Sequence, residues 1–96
     1  MIYEWDSRKA KANERKHGLS FEEAACVFVD PLALTFPDPD HSEDEEREIT
    51  IGLTRGNRVV FVSHCRRSGR LRIIGARNAT RTERRQYEEG GSKRHS

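Results

Sequence analysis

Between Arg55 and Arg85 the chain carries ten arginines and a single acid, Glu83. His64 sits among them, two residues before Arg66. These are side chains suited to phosphate chemistry. A guanidinium is planar, stays charged at any working pH and pairs two phosphate oxygens at once. An imidazole has an ordinary pKa of about 6.5 and is the commonest proton-transfer group. Dense arginine around His64 should push that pKa down by like-charge repulsion and keep the ring neutral, as a base requires. The competing reading is an ordinary histidine at the end of a strand. Arg66, Arg72 and Arg77 are the candidates for direct phosphate contact. Strand alternation puts His64 and Arg66 on one face, and likewise Arg70 and Arg72 on the neighbouring strand. A hairpin is therefore expected to gather an imidazole and several guanidiniums at one end of a sheet.

The opposite bias precedes this block. From Asp30 to Glu48 there are eight acids and one arginine or lysine, Arg47, so a formal net charge of +2 conceals two oppositely charged segments. A concentrated basic face attracts polyanions, while the acidic segment repels them. Asp38, Asp40, His41 and Glu43 invite a metal reading, but their spacing matches neither an EF-hand loop nor a tetrahedral zinc site. A solvated acidic loop that leaves the basic surface open is the expectation, with no metal and no cofactor.

The elements that must position these residues follow from pattern. Met1 to Trp5 reads as a first or edge strand. Asp6 caps a helix over Ser7 to Lys16, which His17-Gly18 ends with a left-handed glycine. Lys9, Asn13 and Lys16 share one face of it. His17 is placed to meet the last carbonyls of that helix. Ser20-Phe21-Glu22-Glu23 forms a capping box, and a second helix runs to about Val29, where Pro31 stops it. Phe21, Ala24, Ala25 and Phe28 are its core face. Leu32 to Phe36 is a short strand, followed by a loop from Pro37. Arg47 to Arg55 alternates, with Ile49, Ile51 and Leu53 on one face and Glu48, Thr50, Gly52 and Thr54 on the other, as in a half-buried strand. Arg58 to Cys65 is apolar on both faces and reads as a central strand. Arg70 to Arg77 returns beside it, giving an antiparallel meander. Thr80-Arg81-Thr82-Glu83 is a second capping box, opening a helix to about Glu89 that Gly90-Gly91 ends.

The 96 residues make a single domain, expected over residues 1–90 with a mobile tail at 91–96. Leu, Ile, Val and Phe sum to nineteen, which allows a thin core and marginal stability without a partner. No apolar run approaches the roughly 18 residues of a membrane span, and the N-terminus is not a signal peptide. Cys26 and Cys65 are too few for a disulfide framework, and packed, reduced thiols fit a cytoplasmic location.

Specific residues resemble those of BrnT-type toxins. Trp5-Asp6, Lys9, Asn13, Lys16-His17-Gly18 and Ser20-Phe21-Glu22-Glu23-Ala24 match the family's opening. Glu46-Arg47, Ile51-Gly52, Arg72-Ile73-Ile74-Gly75-Ala76-Arg77, Ala79-Thr80, Glu83-Arg84 and Tyr87 match the remainder, so the likeness spans residues 3–88. The family often has serine where Gly75 stands. The resemblance implies an α+β fold of the RelE/ParE-like kind, with two N-terminal helices packed on an antiparallel sheet and a short C-terminal helix. It implies a ribonuclease that cuts RNA without a metal and inhibits translation. It also implies a BrnA-type antitoxin of ribbon-helix-helix pattern as partner, in a hetero-oligomer that binds operator DNA chiefly through the antitoxin.

Such cleavage needs a base for the 2′-OH proton, cations for the phosphorane and an acid for the 5′-oxygen. His64, Arg66, Arg72 and Arg77 are the candidate catalytic residues. Lys9, Arg67, Arg81, Arg84 and Tyr87 are the candidate RNA contacts, with Tyr87 stacking on a base. Against these stand a solvated face for Lys9, packing of the last helix for Tyr87, and docking of acidic antitoxin residues for the ridge of Arg81, Arg84 and Arg85. The antitoxin is expected to cover the arginine hairpin. The rival functions are a non-catalytic basic module that binds nucleic acid or an antitoxin, and a ParE-like topoisomerase poison.

Overall fold

The computed structural model describes residues 2–40 and 46–94, with side chains through residue 90. In chain order the elements are β1 (Tyr3–Glu4), α1 (Ser7–His17), α2 (Phe21–Ala24), a 3-10 helix (Ala25–Val29), β2 (Leu34–Pro37), β3 (Arg47–Leu53), β4 (Val59–Arg67), β5 (Arg70–Asn78) and α3 (Arg81–Arg94). The five strands form one sheet in the order β1-β5-β4-β3-β2.

Local chemistry sets the helix ends. The Asp6 carboxylate accepts from the backbone N–H groups of Arg8 and Lys9, and α1 closes on Gly18 at φ 64° with its N–H on the Glu14 carbonyl. Both features follow the expected caps. At α2 only half of the capping box forms. Ser20 Oγ accepts from the Glu23 N–H at 3.1 Å, but the Glu23 carboxylate goes to Arg58 and Thr54 instead. The α-helical turn is short, and the chain tightens to 3-10 geometry through Val29 rather than continuing as α-helix.

The meander β2-β3-β4-β5 is antiparallel throughout. The hairpin between β4 and β5 turns on Ser68 and Gly69, both at positive φ, the conformation of a two-residue hairpin loop. β1 corrects the purely antiparallel expectation. It joins the far edge in parallel, Tyr3 opposite Leu71 and Glu4 opposite Arg72, so the sheet is mixed. Two residues are too few to carry a pairing signal in sequence.

Leu19, Phe21, Ala24 and Val27 pack on Val60, Val62, Leu71, Ile73 and Ala76. Trp5 meets the Phe21 ring edge-on at 5.9 Å, and Tyr3 stacks with Phe28 at 5.5 Å. β3 departs from the half-buried pattern. Gly52 lies opposite Val60 and Thr50 opposite Val62, so the polar row faces the helical layer, and Ile49 and Ile51 face the other side. All four are buried. The reason is a third layer. α3 crosses over β3, and its Gly90 rests so close to Leu34 that an added Cβ would lie 2.9 Å from Cδ2. Gly90-Gly91 therefore does not end the helix, which continues to Arg94 into the segment expected to be a tail. His41 and Glu43 of the acidic loop lie outside the described residues, as do residues 95–96.

Candidate active site

The sheet separates the predicted catalytic residues into two places. On the helical side, His64 and Arg66 line a cleft of about 250 Å³ together with Phe28, Thr35, Glu48 and Thr50. His64 is only 2% exposed. Its Nε2 lies 2.7 Å from Thr50 Oγ1, which lies 2.8 Å from Thr35 Oγ1, and the Phe28 ring stands edge-on at 4.9 Å. Nδ1 is buried with no partner among the described residues. Burial first, and the charge of Arg66 second, push the imidazole down to about pKa 4. The ring is neutral, as expected from sequence, but desolvation outweighs the like-charge repulsion that led to that expectation.

On the opposite side, Arg77 lies over the Phe61 ring with the guanidinium carbon 3.9 Å from the centroid. Its Nη1 and Nη2 donate to the two Glu83 oxygens at 2.8 and 2.9 Å, and Nη1 also reaches the Asn78 carbonyl at 3.2 Å. Glu83 in turn completes the second capping box. It accepts from the Thr80 N–H at 2.9 Å, while Thr80 Oγ1 accepts from the Glu83 N–H at 3.2 Å. The Arg77 bond depresses the Glu83 carboxyl pKa, and the same bond raises that of Arg77. Arg77 opens on a cleft of about 570 Å³ shared with Phe36, Arg47, Phe61, Ser63 and Gln86.

A single cradle of Arg66, Arg72 and Arg77 beside His64 is therefore not formed. The register explains the split. Arg66 lies opposite Leu71, a core residue of the helical side, whereas Ala76 takes the core position opposite Val62 and turns Arg77 to the far face. An irregularity in pairing between Ser63 and His64 shifts the phase along β5. Arg72 pairs with Cys65 and Glu4, and with Lys9 it contributes to lowering the Asp6 pKa, an effect led by the backbone N–H groups of Lys9 and Arg8.

The other predicted contacts are spread over the surface. Lys9 is exposed on α1, Arg67 at the hairpin, and Arg81 and Arg84 on α3. Tyr87 is half-buried, and its hydroxyl donates to Asp30 Oδ2 at 2.7 Å, tying α3 to the end of the 3-10 helix. Sequence reasoning passed over Arg47, Phe36, Phe61, Ser63 and Gln86, which the α3-side cleft brings together. The signal for them is the alternation of β3 and β4, where Ile49 and Phe61 occupy the face opposite the helical core. Gly75 has no steric cause, since a Cβ there would meet only Asn13 Oδ1 at 3.9 Å. Among the described residues no group of three or more His, Cys, Asp or Glu side chains is placed to hold a metal ion, and no helix is long and apolar enough to cross a membrane.

N-terminal helices on one face of a mixed sheet, with a C-terminal helix across the other, define an α+β protein of RelE-like architecture. The family model described as "Ribonuclease toxin, BrnT, of type II toxin-antitoxin system" matches residues 5–83, and the chain belongs to that family. A crystal structure of the Brucella abortus ribonuclease toxin BrnT matches with a TM-score of 0.66 and 25% identity, covering 84% of this chain and 100% of that one. No protein of curated function matches the chain.

Proposed function

We propose that this chain is the toxin of a type II toxin–antitoxin pair, an endoribonuclease that cuts RNA without a metal, inhibits translation and is silenced by a BrnA-type antitoxin. The observation that carries this reading, beyond family membership, is the Arg77 guanidinium held between the Phe61 ring and the Glu83 carboxylate at the mouth of the α3-side cleft. A cation fixed before substrate arrives costs no reorganisation when charge builds up on the phosphorane. Arg47 lines the same cleft and adds positive charge. Exposed Arg81 and Arg84 on the adjoining first turns of α3 extend a basic track for the flanking backbone. Arg66, Arg67, Arg72 and Lys9 lie outside this cleft and supply longer-range attraction. His64, buried beside Phe28 and bonded to Thr50, lies on the other face of the sheet from this cleft.

A non-catalytic, nucleic-acid-binding module is the second reading, favoured by the neutralisation of Arg77 by Glu83 and the burial of His64. The deciding experiment incubates the purified chain, freed of antitoxin, with RNA in EDTA. Cyclic-phosphate ends, with cleavage lowered roughly 10²–10³-fold by Arg77→Ala, support the ribonuclease. Tight binding of RNA that stays uncut supports the module. The same assay with His64→Leu separates the two faces, since cleavage lost there and not with Arg77→Ala would move the chemistry to the helical side.

A further inference from the structure

The α3-side cleft has features that phosphate binding alone does not require. Phe36, Ile49 and Ser63 are register partners across β2, β3 and β4, so their side chains form one row on the face beneath α3. Phe61 lies in the next row, opposite Ile51 and Arg77, with the Arg77 guanidinium carbon over its ring at 3.9 Å from the centroid. Gln86 of α3 borders the same space, whose volume of about 570 Å³ falls within the range of small-ligand pockets. Two aromatic rings, an aliphatic floor and a guanidinium lining one cleft suit a flat, uncharged ring. A side-chain amide and a hydroxyl can then read the edge of that ring.

We infer that this cleft is a nucleobase pocket, seating one unstacked base of single-stranded RNA beside the scissile phosphate and giving the cut its sequence preference. The inference rests on the ribonuclease reading for its substrate and deepens it. Sequence-specific recognition of RNA works on splayed bases, by stacking on aromatic or guanidinium planes and hydrogen bonding to base edges. Glutamine is suited to bidentate pairing with such an edge. The rim selects further. Asp40 borders the cleft and is exposed, and its carboxylate accepts hydrogen bonds and donates none, whereas the Asp38 carboxylate is buried and accepts from the Asp40 N–H at 3.0 Å. Bases with an exocyclic amino group are therefore favoured over uracil. Asp40 at the rim also disfavours an acidic peptide as occupant, which sets a base ahead of a protein segment.

The test titrates the antitoxin-free chain with the four nucleoside 3′-monophosphates and with ribose 5-phosphate, mapping the response by amide NMR, and sequences the RNA ends it produces. Nucleotides with amino-bearing bases should bind about tenfold or more tighter than the base-free sugar phosphate. Shifts should centre on Phe36, Phe61 and Gln86. Gln86→Ala, at an exposed helix position, and Phe36→Ala should each erase that margin and level the cleavage preference, whereas Arg15→Ala on α1 should change neither. Equal binding of sugar phosphate and nucleotides, or shifts elsewhere on the sheet, would overturn the pocket. RNA cut with unaltered preference by both variants would overturn it while leaving the ribonuclease standing. Base-selective binding at Gln86 without any cleavage would support the pocket and remove the nuclease.

Discussion

The Asn13 side chain is bonded to the Ala76 backbone in both directions. Its Nδ2 donates to the Ala76 carbonyl at 2.8 Å and its Oδ1 accepts from the Ala76 N–H at 3.1 Å. Nδ2 also reaches the Leu19 carbonyl at 3.1 Å. β1 covers the edge of β5 only at Leu71 and Arg72, and further along this one amide occupies the place of a missing strand. Asn13→Ala leaves partly buried backbone groups without partners and should cost about 2–3 kcal/mol. Urea unfolding with an unchanged m-value reads it directly. Less than half a kcal/mol would show that water replaces the amide.

His64 sets an acid limit on stability. Its pKa of about 4 in the folded chain lies below the ordinary 6.5. Between those values the unfolded chain takes up a proton that the folded chain refuses, so stability is complete above pH 6.5 and falls as pH drops toward 4. A displacement of that size corresponds to on the order of 3 kcal/mol. His64→Leu, which leaves Thr50 bonded to Thr35, should flatten the dependence of unfolding free energy on pH between 6.5 and 4.5. A ring that titrates near 6.5 by NMR contradicts this account.

Glu23 anchors the turn between β3 and β4. It receives Arg58 Nε at 3.1 Å, Arg58 Nη2 at 2.6 Å and Thr54 Oγ1 at 2.8 Å, and Arg58 continues to the Gly18 carbonyl. The Arg58 bond lowers the carboxyl pKa most, against the opposing effect of burial. Its contribution is present above the ordinary value of 4.5 and is lost as pH falls through the lowered one. Arg58→Lys keeps the charge but not the fork and should lose about 1 kcal/mol. Wild-type stability for this variant would show that charge alone suffices.

Gly52 is a packing requirement. A Cβ there would lie 2.9 Å from Val27 Cβ and 3.2 Å from Ala33 Cβ, atoms close to the backbone with little room to yield. Gly52→Ala should destabilise by roughly 1–3 kcal/mol through overpacking. A thermal midpoint at or above the wild-type value would refute this.

Much of the fold was legible because local chemistry and tertiary role agree. Asp6, Gly18 and Thr80 act through their nearest neighbours, so their motifs read true. Ser68-Gly69 likewise turns where two strands demand it. Glu23 was misread because a capping-box carboxylate and an Arg58 partner 35 residues away compete for the same oxygens. Thr50 and Gly52 looked solvent-facing because alternation identifies two faces without saying that both are covered. The candidate site was least legible. Its arginines are plain in the sequence, but one bulge and the return of α3 decide which face each one serves.

Glu83 performs two duties with one carboxylate, closing the start of α3 and gripping Arg77. The helix and the guanidinium are consequently locked to each other. An antitoxin that peeled α3 away would disarm the arginine without touching it, and docking the helix again would restore both together. Silencing by such a partner would need only leverage on the C-terminal segment, leaving the cleft itself unplugged.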